Sequence, residues 1–135
     1  MANRRLFSRT VTRSDAFLEM PLTTQALYFH LGLEADDDGF CSAPTTVARL
    51  IGANQNDYDL LVAKGFLIQF DDGVVVIKHW LVNNTIRKDR YKSTEYIEHK
   101  KTLYIKENQV YTLDPDKGTK LIENQPVNGS DDDPF

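Results

Sequence analysis

The chain has 135 residues, 41% hydrophobic and 27% charged, enough for one folded domain with length to spare. A single cysteine, Cys41, excludes a disulfide frame or a four-cysteine zinc cage, and no run approaches the roughly 18–20 apolar residues of a membrane-spanning helix. The formal charge of −4 is segregated into blocks of +4 (residues 1–13), −7 (14–83), +3 (84–113) and −4 (114–135), a pattern that speaks to partners more than to fold.

The first block, "MANRRLFSRT" and the residues to Arg13, is positive with no apolar run behind it, so it reads as a basic arm and not as a secretion signal. A reducing cytoplasm is the expected compartment, with no membrane association. From Ser14 the punctuation strengthens. In "MPLTTQALYFHLGL", Pro21 opens a helix, Leu22, Ala26, Phe29 and Leu33 follow at helical spacing, and Gly32 reads as the stop. A polar turn, "EADDDGF", leads to a short extended piece. Pro44 begins a second helix that ends at Gly52. Asn54 or Asn56 caps a third, ended by Gly65. The period then changes: "FLIQF" and "VVVIKHW", separated by "DDG", predict a hairpin.

This order predicts an α+β fold, a winged helix-turn-helix over residues 14–82 whose third helix is the recognition helix and whose wing tip is "DDG". Residues 83–113 form a basic extension, with a helix capped near Ser93 and "QVYTL" as a small strand. Residues 114–135 hold too little apolar content to order themselves and are expected to be disordered.

The chemistry-bearing patterns are few. Glu34, Asp36, Asp38 and Gly39 resemble the start of a calcium loop, but the twelfth position is Thr45 where a bidentate glutamate is required, so a solvated turn is expected and no metal. Cys41 with His30, His79 or His99 suggests a thiol nucleophile, against which a small core cysteine is the simpler reading. With no phosphate loop, zinc pair or nucleophile elbow, neither an enzyme nor a cofactor is expected.

Nucleic-acid contact has more support, away from the usual place. The third helix carries Asp57 and Asp59 against Lys64, and the wing tip carries Asp71 and Asp72, all of which would repel phosphates in the ordinary docking pose. The flanks differ. "RRLFSR" and "IRKDRYK" supply Arg4, Arg5, Arg9, Arg87, Lys88, Arg90 and Lys92, interleaved with Phe7 and Tyr91 and close to Trp80 and Tyr96, with Tyr91 the first choice of ring for a base to stack on. The alternative is that these cations pair with the acidic body and tie the arms down.

Three stretches, "RRLFSRTVTRSDAFLEMPLTTQALYFHLGLEADDDGF", "IGANQNDYDLLVAKGFLIQFDDGVVVIKHW" and "IRKDRYKSTEY", closely resemble the N-terminal region of phage replisome organisers. These are replication-initiation proteins of temperate phages of Gram-positive bacteria, related to DnaD-like primosomal proteins. The resemblance covers residues 1–113. It implies a winged-helix domain that self-associates, touches origin or single-stranded DNA and helps recruit helicase-loading machinery in the host bacterial cytoplasm. Longer members continue into a second domain that this chain is expected to lack, so functions housed there do not carry over.

The end of the chain, "DDDPF", is similar to the tip of bacterial single-stranded DNA-binding proteins, which docks onto replication and recombination enzymes. The resemblance implies that Phe135 fills an apolar pocket while its carboxylate meets a basic rim. Pro134 stiffens the approach, and Asp131, Asp132 and Asp133 guide it along a basic ridge. The usual tip has an apolar residue before the proline, and this one has none. The expected function is thus a non-enzymatic phage replication protein that self-associates, contacts DNA and recruits a host enzyme. The alternatives are a decoy of host replication proteins that never touches DNA, and a sequence-specific transcription regulator reading DNA with its third helix.

Overall fold

A computed structural model describes residues 3–121. Two one-turn helices, α1 (Arg9–Thr12) and α2 (Asp15–Leu18), come first, each capped by a serine side chain: Ser8 accepts from the Thr10 N–H and Ser14 from the Phe17 N–H. Then come α3 (Leu22–Glu34), β1 (Phe40–Cys41), α4 (Pro44–Ile51), α5 (Gln55–Ala63), β2 (Leu67–Gln69) and β3 (Val75–Ile77). The expected signals explain the boundaries. Pro44 sits in the first turn of α4, which ends at Gly52 with φ +79°. Asn54 caps α5 in a reciprocal box with Asp57, and Gly65 follows its end with φ +82°.

The three strands form one antiparallel sheet in the order β1-β3-β2, with Phe40 opposite Val76 and Ile68 opposite the same residue from the other side. Central β3 is buried along its whole length, as its unbroken Val-Val-Ile run requires. Beyond it lie α6 (Trp80–Asn83), α7 (Ile97–Lys100), β4 (Tyr104–Ile105), β5 (Tyr111–Thr112) and β6 (Thr119–Lys120), the strands forming a second antiparallel sheet, β5-β4-β6. The whole is a mixed helix-and-strand fold with two small antiparallel sheets, compatible with the expected α+β class. One core unites them: Leu27 and Leu31 of α3, Val75 and Ile77 of β3, Trp80, Leu103, Ile105, Tyr111 and Leu121 belong to a single buried cluster. The Tyr111 N–H also donates to the Lys78 carbonyl at 3.0 Å, joining the two sheets through the backbone.

Several expectations change. Gly32 does not stop α3 but lies buried inside it, because the Phe7 ring packs there; a Cβ on Gly32 would come within 2.6 Å of that ring. Residues 3–13 are therefore fastened to the body. The Leu6 N–H donates to Asn84 Oδ1 (2.8 Å), the Ser8 N–H to Asn83 Oδ1 (2.9 Å), and Phe7 meets Phe29 edge-on at 5.0 Å. The helix expected near Ser93 is only the single turn of α7. Disorder from Asp114 is overturned through Leu121: Thr119 pairs with Ile105 and Leu121 is buried in the core. The remainder of that stretch, including Asp131, Asp132, Asp133, Pro134 and Phe135, lies outside the described residues.

Candidate nucleic-acid interface

The turn between α3 and β1 decides where the basic segments go. Asp36, Asp37 and Asp38 are adjacent, and bringing three carboxylates together in a turn is favourable only if donors converge on them. They do, from four parts of the chain. Asp36 accepts from the backbone N–H of Asp38 and of Phe40, both at 3.0 Å, and from the Thr94 hydroxyl at 2.5 Å. Asp37 accepts from the Arg5 guanidinium at 3.0 Å and the Lys92 backbone N–H at 2.9 Å, while its carbonyl receives the Trp80 indole N–H. Asp38 accepts from the Tyr91 hydroxyl (2.8 and 2.7 Å to its two oxygens), the Thr94 N–H (2.9 Å) and the Lys100 ammonium (3.2 Å). The expected solvated turn is instead the junction of the molecule, since protein donors, not solvent, satisfy these carboxylates.

Burial shapes the titration of the groups around it. Burial raises the Asp36 carboxyl above the usual range, opposed by the hydrogen bonds from Thr94, Phe40 and Asp38. Tyr91 is held well above a normal phenol, first by burial and then by the Asp38 carboxylate that its hydroxyl donates to. Lys100, nearly fully buried, donates to Tyr91 Oη at 2.7 Å as well as to Asp38, completing a lysine–tyrosine–carboxylate chain.

Beside this junction lies an open groove of about 940 Å³. Its lining draws on both basic segments: Arg4 from the N-terminal strap, and Arg87, Arg90 and Lys92 from the stretch after α6. All four are exposed. Arg87 pairs at 3.2 Å with its neighbour Asp89, both largely in solvent, so that contact holds the cation only loosely. Segments more than 80 residues apart thus present their cations to one concavity. Phe40, Ile86 and Tyr96 add apolar surface, and Glu34, Glu95 and the donor-satisfied Asp36 and Asp37 add carboxylates to the lining.

The sequence-derived set divides on this geometry. Arg4, Arg87, Arg90 and Lys92 meet in the groove. Arg9 and Lys88 are exposed but do not line it. Arg5 reaches the lining, yet its side chain is 2% exposed, bonded to Asp37 and to the Ala35 carbonyl (2.8 Å) and stacked over Trp80 at 5.1 Å. It is a rivet of the fold, as the pairing alternative anticipated. Tyr91 is displaced too: Lys100 Nζ lies 5.3 Å over its ring and its hydroxyl is tied to Asp38, so its expected stacking role does not fit.

Nor do the four carboxylates expected to repel phosphate all face outward. Asp57 is buried and accepts from Thr24 Oγ1 (2.6 Å), Thr23 Oγ1 (2.9 Å) and the Asn54 N–H (3.0 Å). The Thr24 bond above all draws its pKa below the ordinary range. Asp72 holds His99 at 2.8 Å, linking the hairpin tip to α7. Asp59, Asp71 and Asp72 itself remain exposed, so only Asp57 is withdrawn from solvent.

Sequence reasoning missed Thr94 and the junction role of Asp36–Asp38. The run of three aspartates was itself the available signal, since such a run demands local donors. Among the described residues no group of three or more His, Cys, Asp or Glu side chains is arranged to hold a metal ion, and no helix is long and apolar enough to cross a membrane. No family model, no curated protein and no solved structure matches the chain.

Proposed function

We propose that this chain is a DNA-contacting replication protein of the replisome-organiser type, with a winged helix over α3–β3 as its scaffold. The basic groove is its nucleic-acid interface, and its work is recruitment, not catalysis. One observation carries the reading: the strap and the segment after α6 bring Arg4, Arg87, Arg90 and Lys92 into a single concavity. Cations spaced along a groove with apolar surface between them suit a flexible polyanion whose bases need apolar contact. Two features favour a strand tracked through its backbone over a base sequence read in the major groove. Helix α5 supplies no lining residue, and its Asp57 is turned inward as a cap. The resemblance to phage initiation proteins supports the same reading. Self-association and docking of the Pro-Phe tip onto a host enzyme complete the proposed role.

The test is equilibrium binding of a short single-stranded oligonucleotide by the intact chain and by an R4Q/R90Q/K92Q variant. These side chains are exposed, so the variant is expected to fold normally and to lose at least tenfold in affinity. Equal affinity of the two proteins would remove the groove as the interface. Absence of binding at low salt would favour the decoy reading.

A further inference from the structure

Four cations explain how a backbone is held but leave open what rewards a base. Tyr96 lines the groove with Arg4, Arg90 and Lys92 and is partly exposed there. The turn that anchors the cations also anchors its backbone: the Tyr96 N–H donates to Thr94 Oγ1 at 3.1 Å, and that hydroxyl donates onward to Asp36. The ring is steadied by neighbours. Phe40 lies 5.9 Å away at 33°, and His99 lies nearly parallel at 15° with centroids 6.1 Å apart. His99 is itself stacked on Phe70 at 4.3 Å and bonded to Asp72. A ring fixed at its root and propped by two others loses little freedom when a ligand covers it.

We propose that Tyr96 is the stacking platform of the groove and that the ligand is a single strand with unpaired bases. This rests on the groove being a nucleic-acid interface. A duplex keeps its bases stacked on one another, so it gains charge contact from the arginines and lysine but nothing from Tyr96. A single strand can turn one base onto the ring while its phosphates follow the cations. Base stacking on an aromatic side chain tolerates any sequence, because every base has a flat face.

The experiment compares an oligothymidylate of about twelve nucleotides, within the usual span of such sites, with a strand of equal length and charge built from abasic tetrahydrofuran units. Fluorescence anisotropy of the labelled strands is measured with the intact chain. The intact protein is expected to bind the thymidylate about tenfold more tightly. Tyr96→Phe keeps the preference for thymidylate over the abasic strand, and Tyr96→Leu abolishes it. Equal binding of both strands by the intact protein overturns the stacking role and spares the groove. Failure to bind either strand overturns the groove and the platform together. The strand comparison on the intact chain needs no variant, so a Tyr96→Leu protein that folds poorly does not block the test.

Discussion

Replacing Asp38 probes the junction where it is most buried. Its side chain is 3% exposed and that of Lys100 is 1% exposed, so the pair sits in a medium that penalises either charge alone. Asp38→Asn keeps the shape but removes the negative charge and turns one acceptor into a donor. The single amide oxygen can then no longer serve the Lys100 ammonium on one side and the Thr94 N–H on the other, and the Tyr91 hydroxyl, which now bonds both oxygens, faces an amide N–H. An uncompensated buried charge costs about 3–5 kcal/mol, a large share of the ~5–15 kcal/mol typical of a whole domain. Urea unfolding followed by Trp80 fluorescence, the indole being fully buried, is expected to show a loss in that range. Lys100→Met alone should likewise cost about 3–5 kcal/mol by stranding Asp38, whereas in the Asp38→Asn background it should add less than about 1 kcal/mol, a coupling of at least about 2 kcal/mol between the two sites. Strand affinity should fall with stability, because Asp37 and Asp38 position the segment that carries Arg90 and Lys92. Additive losses under about 1 kcal/mol each would refute the junction as the organiser of the groove.

Two further predictions concern the same neighbourhood. His79 is held neutral, its pKa lowered to about 4 from 6.5, first by burial and then by Lys78 and Lys106. The unfolded chain therefore takes up a proton that the folded chain refuses, and stability falls as the pH drops from 6.5 towards 4. After discounting for partial exposure this amounts to about 2 kcal/mol. His79→Phe, which keeps a ring against Phe66 (5.7 Å), should flatten that limb in a pH series of melting curves, whereas an unchanged slope would contradict the assignment. Gly39 has φ +93° and a Cβ there would lie 2.6 Å from the Trp80 ring. Gly39→Ala is therefore expected to cost about 2–5 kcal/mol through backbone strain and overpacking. Gly73→Ala, at φ +88° with open space around it, should cost about 1 kcal/mol. Equal costs at the two positions would show that the Trp80 contact contributes nothing.

What the sequence made legible follows from the range of the forces involved. Helices α4 and α5 and the β2–β3 hairpin are written in local signals: Pro44, Gly52, the Asn54–Asp57 box and the β-branched run of β3. The strap and the extension depend on contacts between distant residues, 32 positions apart for Arg5 with Asp37 and 62 for Lys100 with Asp38. No periodicity announces those. Strands β4 and β6 are two residues long, too short to show alternation, and order comes to residues 114–121 from pairing with β4, not from their own composition. The basic residues of the groove were legible by type and block. Which of them remain available was not, because a paired Arg5 and an exposed Arg4 are adjacent and chemically identical in the sequence.

The most direct measurement is the salt dependence of single-strand binding by the intact chain. Each phosphate neutralised on a single strand contributes about −0.7 to the slope of log affinity against log salt. Four groove cations therefore give a slope of about −3, and the R4Q/R90Q/K92Q variant should fall to about −1. A slope near −5, as about seven cations engaged together would produce, or one that the triple substitution leaves unchanged, would contradict the convergence of the two basic segments on a single groove.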